Sequence, residues 1–340
     1  MPDLRDHTTL RLGGPAERWV RATTEQQLID ALVDADTAGE PVLVLGGGSN
    51  LVVADSGFAG TVVEVATTGA EIDADDGPSC GGATVTVAAG ESWDELVALA
   101  VERGWVGIEA LSGIPGSVGA TPVQNVGAYG QEVSQTIARV RVWDRTLRGV
   151  RTFANADCRF GYRTSRFKAD PERHVVLSVT FQLRQGDLGA PVAYAELARA
   201  LGVEVGQRAP LADVRRAVLE LRTGKGMVLD PTDHDTWSAG SFFTNPVVDA
   251  EQVPEGAPAW PQPDGRVKTS AAWLIERAGF AKGHGNDRVA LSGKHTLALT
   301  NRGGASTDDL LALAREVRDG VAERFGIVLV NEPVLVGAVL

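Results

Sequence analysis

A serine at the start of an apolar stretch is the first residue that could carry chemistry. Residues 238–246 read SAGSFFTNP, so Ser241 follows a glycine and precedes Phe242 and Phe243. The glycine allows backbone conformations that other residues rarely adopt, and adjacent phenylalanines favour a core. The Ser241 hydroxyl could therefore cap a turn, bond to backbone inside a core, or donate a proton. No G-x-S-x-G pattern surrounds it, so a hydrolase nucleophile is not supported.

Two glycine-rich stretches could hold a nucleotide. In the first, 42–55, GGGSN follows a strand-like run, and successive N–H groups in such a turn can hold phosphate oxygens. It lacks the third glycine of a Rossmann fingerprint and the Gly-Lys-Ser/Thr of a P-loop, so alone it is as consistent with a plain tight turn. The second, 107–130, is apolar, uncharged after Glu109, and rich in Gly and Pro. Together they suit one large ligand with a diphosphate and an aromatic ring system, such as FAD.

Alternating helices and strands must position these stretches. Thr24 and Gln27 have the spacing of a capping box, and the helix they begin is expected to end at Gly39. Ser92 has Glu95 three residues later and begins a second helix, which is expected to end at Gly104. Apolar periodicity and turn residues predict further helices at 210–222, 270–278 and 307–325, strands at 41–45, 138–144, 174–183 and from Ile327 onward, and a surface loop at 248–266.

Composition and charge limit the classes of function. The chain has 340 residues, enough for two or three domains, and a net charge of −12, which argues against nucleic acid or an anionic membrane as partner. No apolar run approaches the roughly 18 residues of a membrane span, and the N-terminus lacks a signal-peptide pattern. Cys80 and Cys158 are expected to be unpaired thiols in a reducing cytoplasm. The five histidines show no metal-ligand spacing, so we expect no metal.

Five sequence blocks occur in an order that resembles the UDP-N-acetylenolpyruvoylglucosamine reductase family. They are LGGGSN, IPGSVGATPVQNVGAYG, CRFGYRTSRFK, AGSFFTNP and NEP, and the similarity extends from Leu12 to Val336. The resemblance implies a cytoplasmic, monomeric flavoenzyme of peptidoglycan synthesis with tightly but non-covalently bound FAD. NADPH reduces the flavin, and hydride then passes from flavin N5 to C3 of UDP-N-acetylglucosamine enolpyruvate while a proton is added at C2, which yields UDP-N-acetylmuramate.

The same resemblance assigns the catalytic residues. Arg163 would hold the enolpyruvyl carboxylate, for which a guanidinium is suited because it binds carboxylates through two hydrogen bonds. Ser241 would donate the proton to C2. Glu332, in VNEPV, would polarise the enol intermediate. The ordinary alternatives are a surface ion pair for Arg163, a buried hydroxyl for Ser241 and a solvated strand end for Glu332.

The resemblance also assigns binding residues. Substrate contacts fall on Tyr129, on Tyr194 in an extra tyrosine-bearing loop, on Lys225 and on Asn245. At position 244 the family often has Lys or Arg, whereas this chain has a threonine, which removes one cation that could meet the diphosphate. The implied flavin contacts are Gly46, Gly47, Gly48, Ser49 and Asn50 in the first glycine-rich stretch, Ile114, Pro115, Gly116, Ser117, Gly119, Ala120 and Gly127 in the second, and Val176.

The implied fold is α+β in three parts. Residues 1–68 and 69–212 would form the two lobes of an FAD-binding domain of the vanillyl-alcohol-oxidase (PCMH-like) type, with the tyrosine-loop insertion around 185–205. Residues 213–340 would form an α/β substrate-binding domain whose last strand returns to the active site. Periodicity supports only the mixed helix and strand content; the topology follows from the resemblance.

Two other functions share the glycine-rich stretches. One is an FAD-linked oxidase of the same flavin-binding fold, and the other is a nucleotide-binding protein without catalytic activity. Arg163, Ser241 and Glu332 distinguish the reductase from both, because neither alternative needs all three residues. The sequence also lacks a His or Cys motif for covalent attachment of the flavin.

Overall fold

A computed structural model describes residues 2–74 and 82–340. Helices are α1 Glu25–Ala38, α2 Trp93–Glu102, α3 Arg166–Ala169, α4 Ala195–Leu201, α5 Leu211–Gly224, α6 Ala271–Arg277 and α7 Thr307–Phe325. Strands are β1 Ala16–Ala22, β2 Val42–Leu45, β3 Leu51–Val53, β4 Phe58–Val65, β5 Ala70–Ala74, β6 Gly82–Ala88, β7 Trp105–Val106, β8 Gly127–Ala128, β9 Gln131–Glu132, β10 Ile137–Asp144, β11 Gly149–Ala154, β12 His174–Gln185, β13 Val247–Val248, β14 Ala259–Pro261, β15 Val267–Thr269, β16 Val289–Leu291, β17 Leu299–Asn301 and β18 Val334–Val336.

The chain forms two compact units that are interleaved in sequence. The C-terminal unit comprises Met1–Glu17, Gly48–Ala59 and Gly224–Leu340. The sheet unit comprises Arg18–Gly47 and Gly60–Thr223. The finer division into lobes at 68/69 and 212/213 stays a prediction.

The larger sheet of the sheet unit has the strand order β11-β10-β12-β6-β5, with β7 on the end of β12. Its strands are antiparallel, and along β6 burial alternates residue by residue, as expected of a sheet with one face in a core. Trp93 of α2 and Phe181 of β12 are fully buried in that core, with ring centroids 5.9 Å apart. The second glycine-rich stretch begins directly after β7, which pairs with the end of β12.

A smaller sheet, β1-β4-β2, packs with α1. The predicted capping box is confirmed, because the Thr24 hydroxyl accepts from Gln27 N and the Gln27 side chain accepts from the Thr24 backbone. The predicted end of α1 is also confirmed: Gly39 has φ 67°, a left-handed conformation that glycine adopts without strain. The GGGSN segment of the first glycine-rich stretch follows β2 directly.

The C-terminal unit has its own core. It is built from α6, α7, the β16–β17 hairpin and the parallel pair β3–β18. Phe242 and Phe243 are each 1% exposed within it, as their sequence predicts, and their rings meet edge to face at 5.1 Å between centroids. Ser241 is thus fixed at the edge of a packed core.

Two predicted elements differ from the structure. The strand expected from Ile327 onward is limited to β18, because Pro333 cannot donate to a ladder and the preceding residues make only an isolated bridge, Phe243 to Asn331. The stretch 248–266, expected as a loop, contains the edge strand β14, which pairs with β15. Pro261 is tolerated there because an edge strand can leave one side unpaired.

The structure describes one of the two cysteines. Cys158 is a buried free thiol, and burial raises its pKa to about 12. Cys80 lies outside the described residues. Within the described ranges, no helix is long and apolar enough to cross a membrane.

Candidate active site

The two glycine-rich stretches meet backbone to backbone in the sheet unit. A Cβ added to Gly47 would lie 2.7 Å from Cα of Gly116, and one added to Gly46 would lie 2.6 Å from Oγ of Ser117. Real Cβ atoms do not approach other atoms so closely, and at Gly47 the obstacle is main chain, so any larger residue there would force the two loops apart. The contact brings predicted flavin-binding residues from both stretches together.

The second stretch is held in place by the region before α2. Gly116 O accepts from Trp93 N at 3.1 Å, Val118 N donates to Glu91 O at 2.8 Å, and Gly119 N donates to Ala89 O at 2.8 Å. Gly119 has no room for a side chain, because an added Cβ would lie 2.5 Å from Cβ of Ala89. Of the other predicted flavin contacts, Ile114 and Pro115 are half-buried, Ala120 is exposed, and Val176 is buried on β12 opposite Val142.

The remainder of the first glycine-rich stretch belongs to the C-terminal unit. Gly48 has φ 59°, and its carbonyl accepts from Thr9 N at 3.2 Å. Asn50 O accepts from Val334 N at 2.9 Å, and its side chain donates to Glu332 O at 3.4 Å. Asn50 is therefore bonded to the NEP segment. Ser49 is half-buried beside it.

The NEP segment also lies beside the SAGSFFTNP segment. Glu332 N donates to Phe242 O at 2.8 Å, and Thr244 N donates to Val330 O at 3.0 Å. Ser241 and Glu332 are both half-buried. Gly240 has φ 72°, so the glycine before Ser241 adopts the conformation that its position predicts. Ser241, Glu332 and Asn50 are thus brought together within one unit.

Arg163 is fixed within the sheet unit by the second glycine-rich stretch. Its Nη2 donates to Gly127 O at 2.8 Å, and its Nη1 is 3.5 Å from Asn125 O. Lys168 Nζ donates to the carbonyl of Arg163 at 3.1 Å. The half-buried guanidinium is therefore held in one orientation by main-chain carbonyls, unlike the side chain of an exposed arginine.

Asn125 is a buried polar residue next to Arg163 that the sequence did not indicate. It is 1% exposed, and its amide donates to Glu132 Oε2 at 2.8 Å and to Gly161 O at 3.1 Å. Asn125, Tyr129 and Arg163 all have positive φ, near 50°. Non-glycine residues rarely adopt this conformation, which concentrates at functional sites. Asn125 is one of several polar residues in the stretch 107–130, so its residue type alone did not distinguish it.

Tyr129 and Tyr194 contact each other. Their ring centroids are 6.4 Å apart in an edge-to-face arrangement, and Tyr194 is 54% exposed. Tyr129 occupies the β8–β9 turn, whereas Tyr194 is the N-cap of α4. The structure therefore brings together two predicted substrate contacts from separate segments of the sheet unit.

The other predicted substrate contacts lie in the C-terminal unit. Asn245 Oδ1 accepts from Ala271 N at 2.9 Å, so part of this side chain has a structural role at the start of α6. Lys225 is half-buried directly after α5. Thr244 Oγ1 donates to Val330 O at 3.3 Å and occupies the position where the family often has a cation.

Arg222 is a cation in the sheet unit that sequence reasoning missed. Burial disfavours its charged form and lowers its pKa to about 10, although Tyr129 and Asp94 act in the opposite direction. It therefore remains charged at neutral pH near Tyr129. Its place inside the amphipathic helix α5 gave no signal of this environment. Among the residues that the structure describes, no group of His, Cys, Asp and Glu side chains could hold a metal ion.

Comparison with known proteins gives matches at both ends of the chain. Residues 230–336 match the family described as UDP-N-acetylenolpyruvoylglucosamine reductase, C-terminal domain, and residues 16–149 match an FAD binding domain. The sequence is 60% identical to UDP-N-acetylenolpyruvoylglucosamine reductase of Cutibacterium acnes, over 98% of this chain and 89% of that protein. It is 57% identical to the Thermobifida fusca reductase, over 99% and 97%. The crystal structure of the reductase from Thermus caldophilus is similar with a TM-score of 0.66 and 26% identity, over 98% of this chain and 97% of that one.

Proposed function

The chain belongs to the UDP-N-acetylenolpyruvoylglucosamine reductase family, and we propose that Arg163, Ser241 and Glu332 carry its catalytic chemistry. It is an FAD-dependent oxidoreductase that uses NADPH to reduce UDP-N-acetylglucosamine enolpyruvate to UDP-N-acetylmuramate, a peptidoglycan precursor. It combines an FAD-binding domain with the C-terminal domain of this family. The assignment of residues to steps is our proposal.

The glycine contacts fit a bound dinucleotide. Gly46 and Gly47 lie against Gly116 and Ser117 without room for a Cβ. At this point the loops are therefore formed by main-chain groups, which a diphosphate can approach closely. We assign the flavin diphosphate to 46–50 and 114–120, and further flavin contacts to Gly127 and Val176. When bound, FAD accepts a hydride from NADPH and supplies it to C3 of the substrate.

Arg163 is assigned to the enolpyruvyl carboxylate. Its guanidinium is oriented by the carbonyl of Gly127, and a guanidinium carries five N–H donors in a planar fork that matches the two oxygens of a carboxylate. A fixed cation stabilises the negative charge that develops on the carboxylate during hydride addition, and it requires no rearrangement in the transition state.

Ser241 is assigned as the proton donor to C2. A serine hydroxyl is a weak acid in water. When hydride adds to C3, however, negative charge develops at C2, and this carbon is far more basic than the alkoxide that Ser241 would leave behind. The packed rings of Phe242 and Phe243 restrict water on the core side of Ser241. Glu332 is assigned to the same step, as an acceptor that polarises the enol.

Tyr129, Tyr194, Lys225 and Asn245 are assigned to the UDP part of the substrate. The two tyrosine rings form one edge-to-face pair, and Lys225 supplies a local cation that an acidic protein needs for a diphosphate. For Asn245 we assign the amide NH2 to the nucleotide, because its oxygen already accepts from Ala271. We further propose a cytoplasmic monomer without nucleic-acid or membrane partners, in keeping with the net charge of −12.

The observation that carries the assignment of Ser241 and Glu332 is the hydrogen bond from Glu332 N to Phe242 O. The overall reaction is tested by mass spectrometry with purified protein, NADPH and UDP-N-acetylglucosamine enolpyruvate. We expect a product with two additional hydrogens and one NADPH oxidised per product. An FAD-linked oxidase would instead consume oxygen, release hydrogen peroxide and leave this substrate unchanged.

A further inference from the structure

Glu109 is a buried carboxylate in the sheet unit for which the assigned reaction has no role. It is 1% exposed and begins a short helical turn, Glu109–Leu111. Its Oε1 accepts from Ala190 N at 2.6 Å and from Gln131 Nε2 at 2.8 Å, and its Oε2 accepts from Gly107 N at 2.7 Å. Within the described ranges, no Lys, Arg or His forms an ion pair with it. Its hydrogen-bond partners among the described residues are all N–H groups.

Two of these donors belong to the segments that carry the tyrosine pair. Gln131 begins β9, directly after the turn that contains Tyr129, and its own side-chain oxygen accepts from Ala110 N at 2.7 Å. Ala190 lies four residues before Tyr194. The carboxylate therefore joins the β8–β9 hairpin to the segment 187–210.

The segment 187–210 is closed at its base, where Glu109 holds it. Leu188 bridges to Pro210, Gly189 N donates to Ala209 O at 2.9 Å, and Val192 N donates to Gln207 O at 2.8 Å. Gly189 lies directly on the carboxylate, because an added Cβ would be 2.7 Å from Glu109 Oε1. Ala193 packs on Gly130 beyond this point, and Tyr129 and Tyr194 meet there.

We propose that Glu109 is a positioning residue for substrate binding, which acts by holding the Tyr129 and Tyr194 segments in one fixed arrangement. The inference rests on the proposed contact of these tyrosines with the UDP diphosphate. A carboxylate suits the task because it accepts only, and three N–H groups point at it. Glu109→Ala leaves the N–H groups of Ala190 and Gln131 without an acceptor, and the segment 187–210 then loses its attachment at that point.

The first test compares Glu109→Ala with the wild type. We expect the KM for UDP-N-acetylglucosamine enolpyruvate to rise about 10-fold or more, as for loss of buried hydrogen bonds to a charged group. The kcat and the rate of flavin reduction at saturating NADPH should stay within about twofold, because the change affects binding alone. Glu109→Gln should give an intermediate KM, since its amide oxygen can still accept from Ala190 and Gln131 while its NH2 faces Gly107 N.

The matched control is Asp144→Ala in the same unit. Asp144 is also a fully buried carboxylate, and it pairs with Arg173 at 3.0 Å, away from both tyrosine segments. We expect it to lower stability without changing the KM. Equal KM effects of the Asp144 and Glu109 variants, or slower flavin reduction in Glu109→Ala alone, would overturn the proposal.

A second pair of variants tests the contact from the other side. Gly189→Ala places a methyl group against the Glu109 carboxylate, whereas Gly186→Ala places one in ordinary contact, 3.4 Å from Val106 Cγ2. Gly189→Ala should reproduce the rise in KM and Gly186→Ala should not. If both glycine variants have wild-type KM values, the proposal is wrong even where Glu109→Ala fails to fold.

Hydrogen exchange separates this inference from the proposed function. Amides in 187–210 should exchange faster in Glu109→Ala than in Asp144→Ala, and unchanged exchange would overturn the inference. An unchanged KM in Tyr194→Ala, by contrast, would remove the proposed role of Tyr194, and the exchange result would still decide whether Glu109 holds the segment.

The Glu109→Ala, Tyr194→Ala double variant should raise the KM by less than the product of the single effects, and a full product would contradict action through Tyr194.

Discussion

The backbone N–H of Glu332 donates a hydrogen bond to the carbonyl oxygen of Phe242, 2.8 Å away. This bond joins the C-terminal NEP segment to SAGSFFTNP, two segments that are far apart in sequence but share a core in the C-terminal unit. It fixes the main chain at Glu332 next to the residue that follows Ser241. Two groups assigned to one proton transfer are thereby held by the backbone, and their arrangement does not depend on side-chain packing alone.

Replacing Ser241 with alanine should separate the two half-reactions. Reduction of the flavin by NADPH should proceed at the wild-type rate, whereas reduction of the enolpyruvyl substrate should slow by roughly 10²- to 10⁴-fold, the range for loss of a general acid. Stopped-flow absorbance of the flavin measures both steps.

Ser306→Ala is the control for Ser241→Ala. It is the same chemical change in the same unit, where it removes the N-cap of α7 and costs about 1 kcal/mol of stability. Both half-reactions should be normal in it. If Ser241→Ala reduces substrate at the wild-type rate, another group donates the proton.

A methyl group at Gly47 should weaken FAD binding. The added Cβ would stand 2.7 Å from Cα of Gly116, and a main-chain atom cannot move aside cheaply. Overpacking of this kind typically costs about 1–3 kcal/mol, which corresponds to about a 5- to 150-fold loss of affinity. Gly149→Ala should keep its flavin, since its Cβ would meet only Leu147 O at 3.9 Å. Flavin fluorescence after ultrafiltration measures the bound fraction, and equal retention by the two variants would contradict the assigned loop contact.

Lysine at position 163 should impair the substrate half-reaction although it keeps the charge. A lysine ammonium cannot reproduce the planar fork that binds Gly127 O and that we assign to the substrate carboxylate, so kcat/KM for the enolpyruvyl substrate should fall about 10- to 100-fold. Arg159→Lys is the control, because Arg159 is exposed and has the same φ, 52°. A normal kcat/KM in Arg163→Lys would show that no bidentate contact is needed.

His174 should make stability depend on pH. Burial lowers the pKa of His174, and the positive charges of Arg173 and Arg166 lower it further. Asp144, 3.7 Å from Nε2, and Asp170 raise the pKa, but they do not outweigh the effect of burial. The unfolded chain, with a histidine pKa near 6.5, then takes up the proton first, so the folded state loses stability as pH falls below about 6.5. In His174→Leu this part of the loss should be absent. Urea unfolding at pH 7.5, 6.5 and 5.5 measures it, and parallel pH profiles for the two proteins would exclude His174 as the cause.

Local signals predicted much of the secondary structure. The Thr24–Gln27 capping box, the glycine at position 39 and the apolar stripe of α7 each depend on residues within a few positions, and each is present in the structure. The segment after Ile327 was harder to predict. Its apolar sequence suggests one long strand, but pairing depends on a distant partner, and only β18 finds one, on β3.

The candidate site could also be predicted only where local sequence determines it. Glycines at 46 and 47 could be recognised as loop residues, but their contact with 116 and 117 depends on the tertiary fold. Asn125, Arg222 and Glu109 gave no sequence signal because their roles arise from burial and from partners on other segments. The family resemblance indicated Ser241 and Glu332 as functional residues, whereas only the structure shows the backbone bond between Phe242 and Glu332.

The two half-reactions are tested most directly by an anaerobic visible spectrum of the purified protein, titrated first with NADPH and then with UDP-N-acetylglucosamine enolpyruvate. We expect one equivalent of NADPH to bleach the flavin band and one equivalent of the substrate to restore it. A flavin that bleaches but remains reduced after the substrate is added would contradict the assigned reaction.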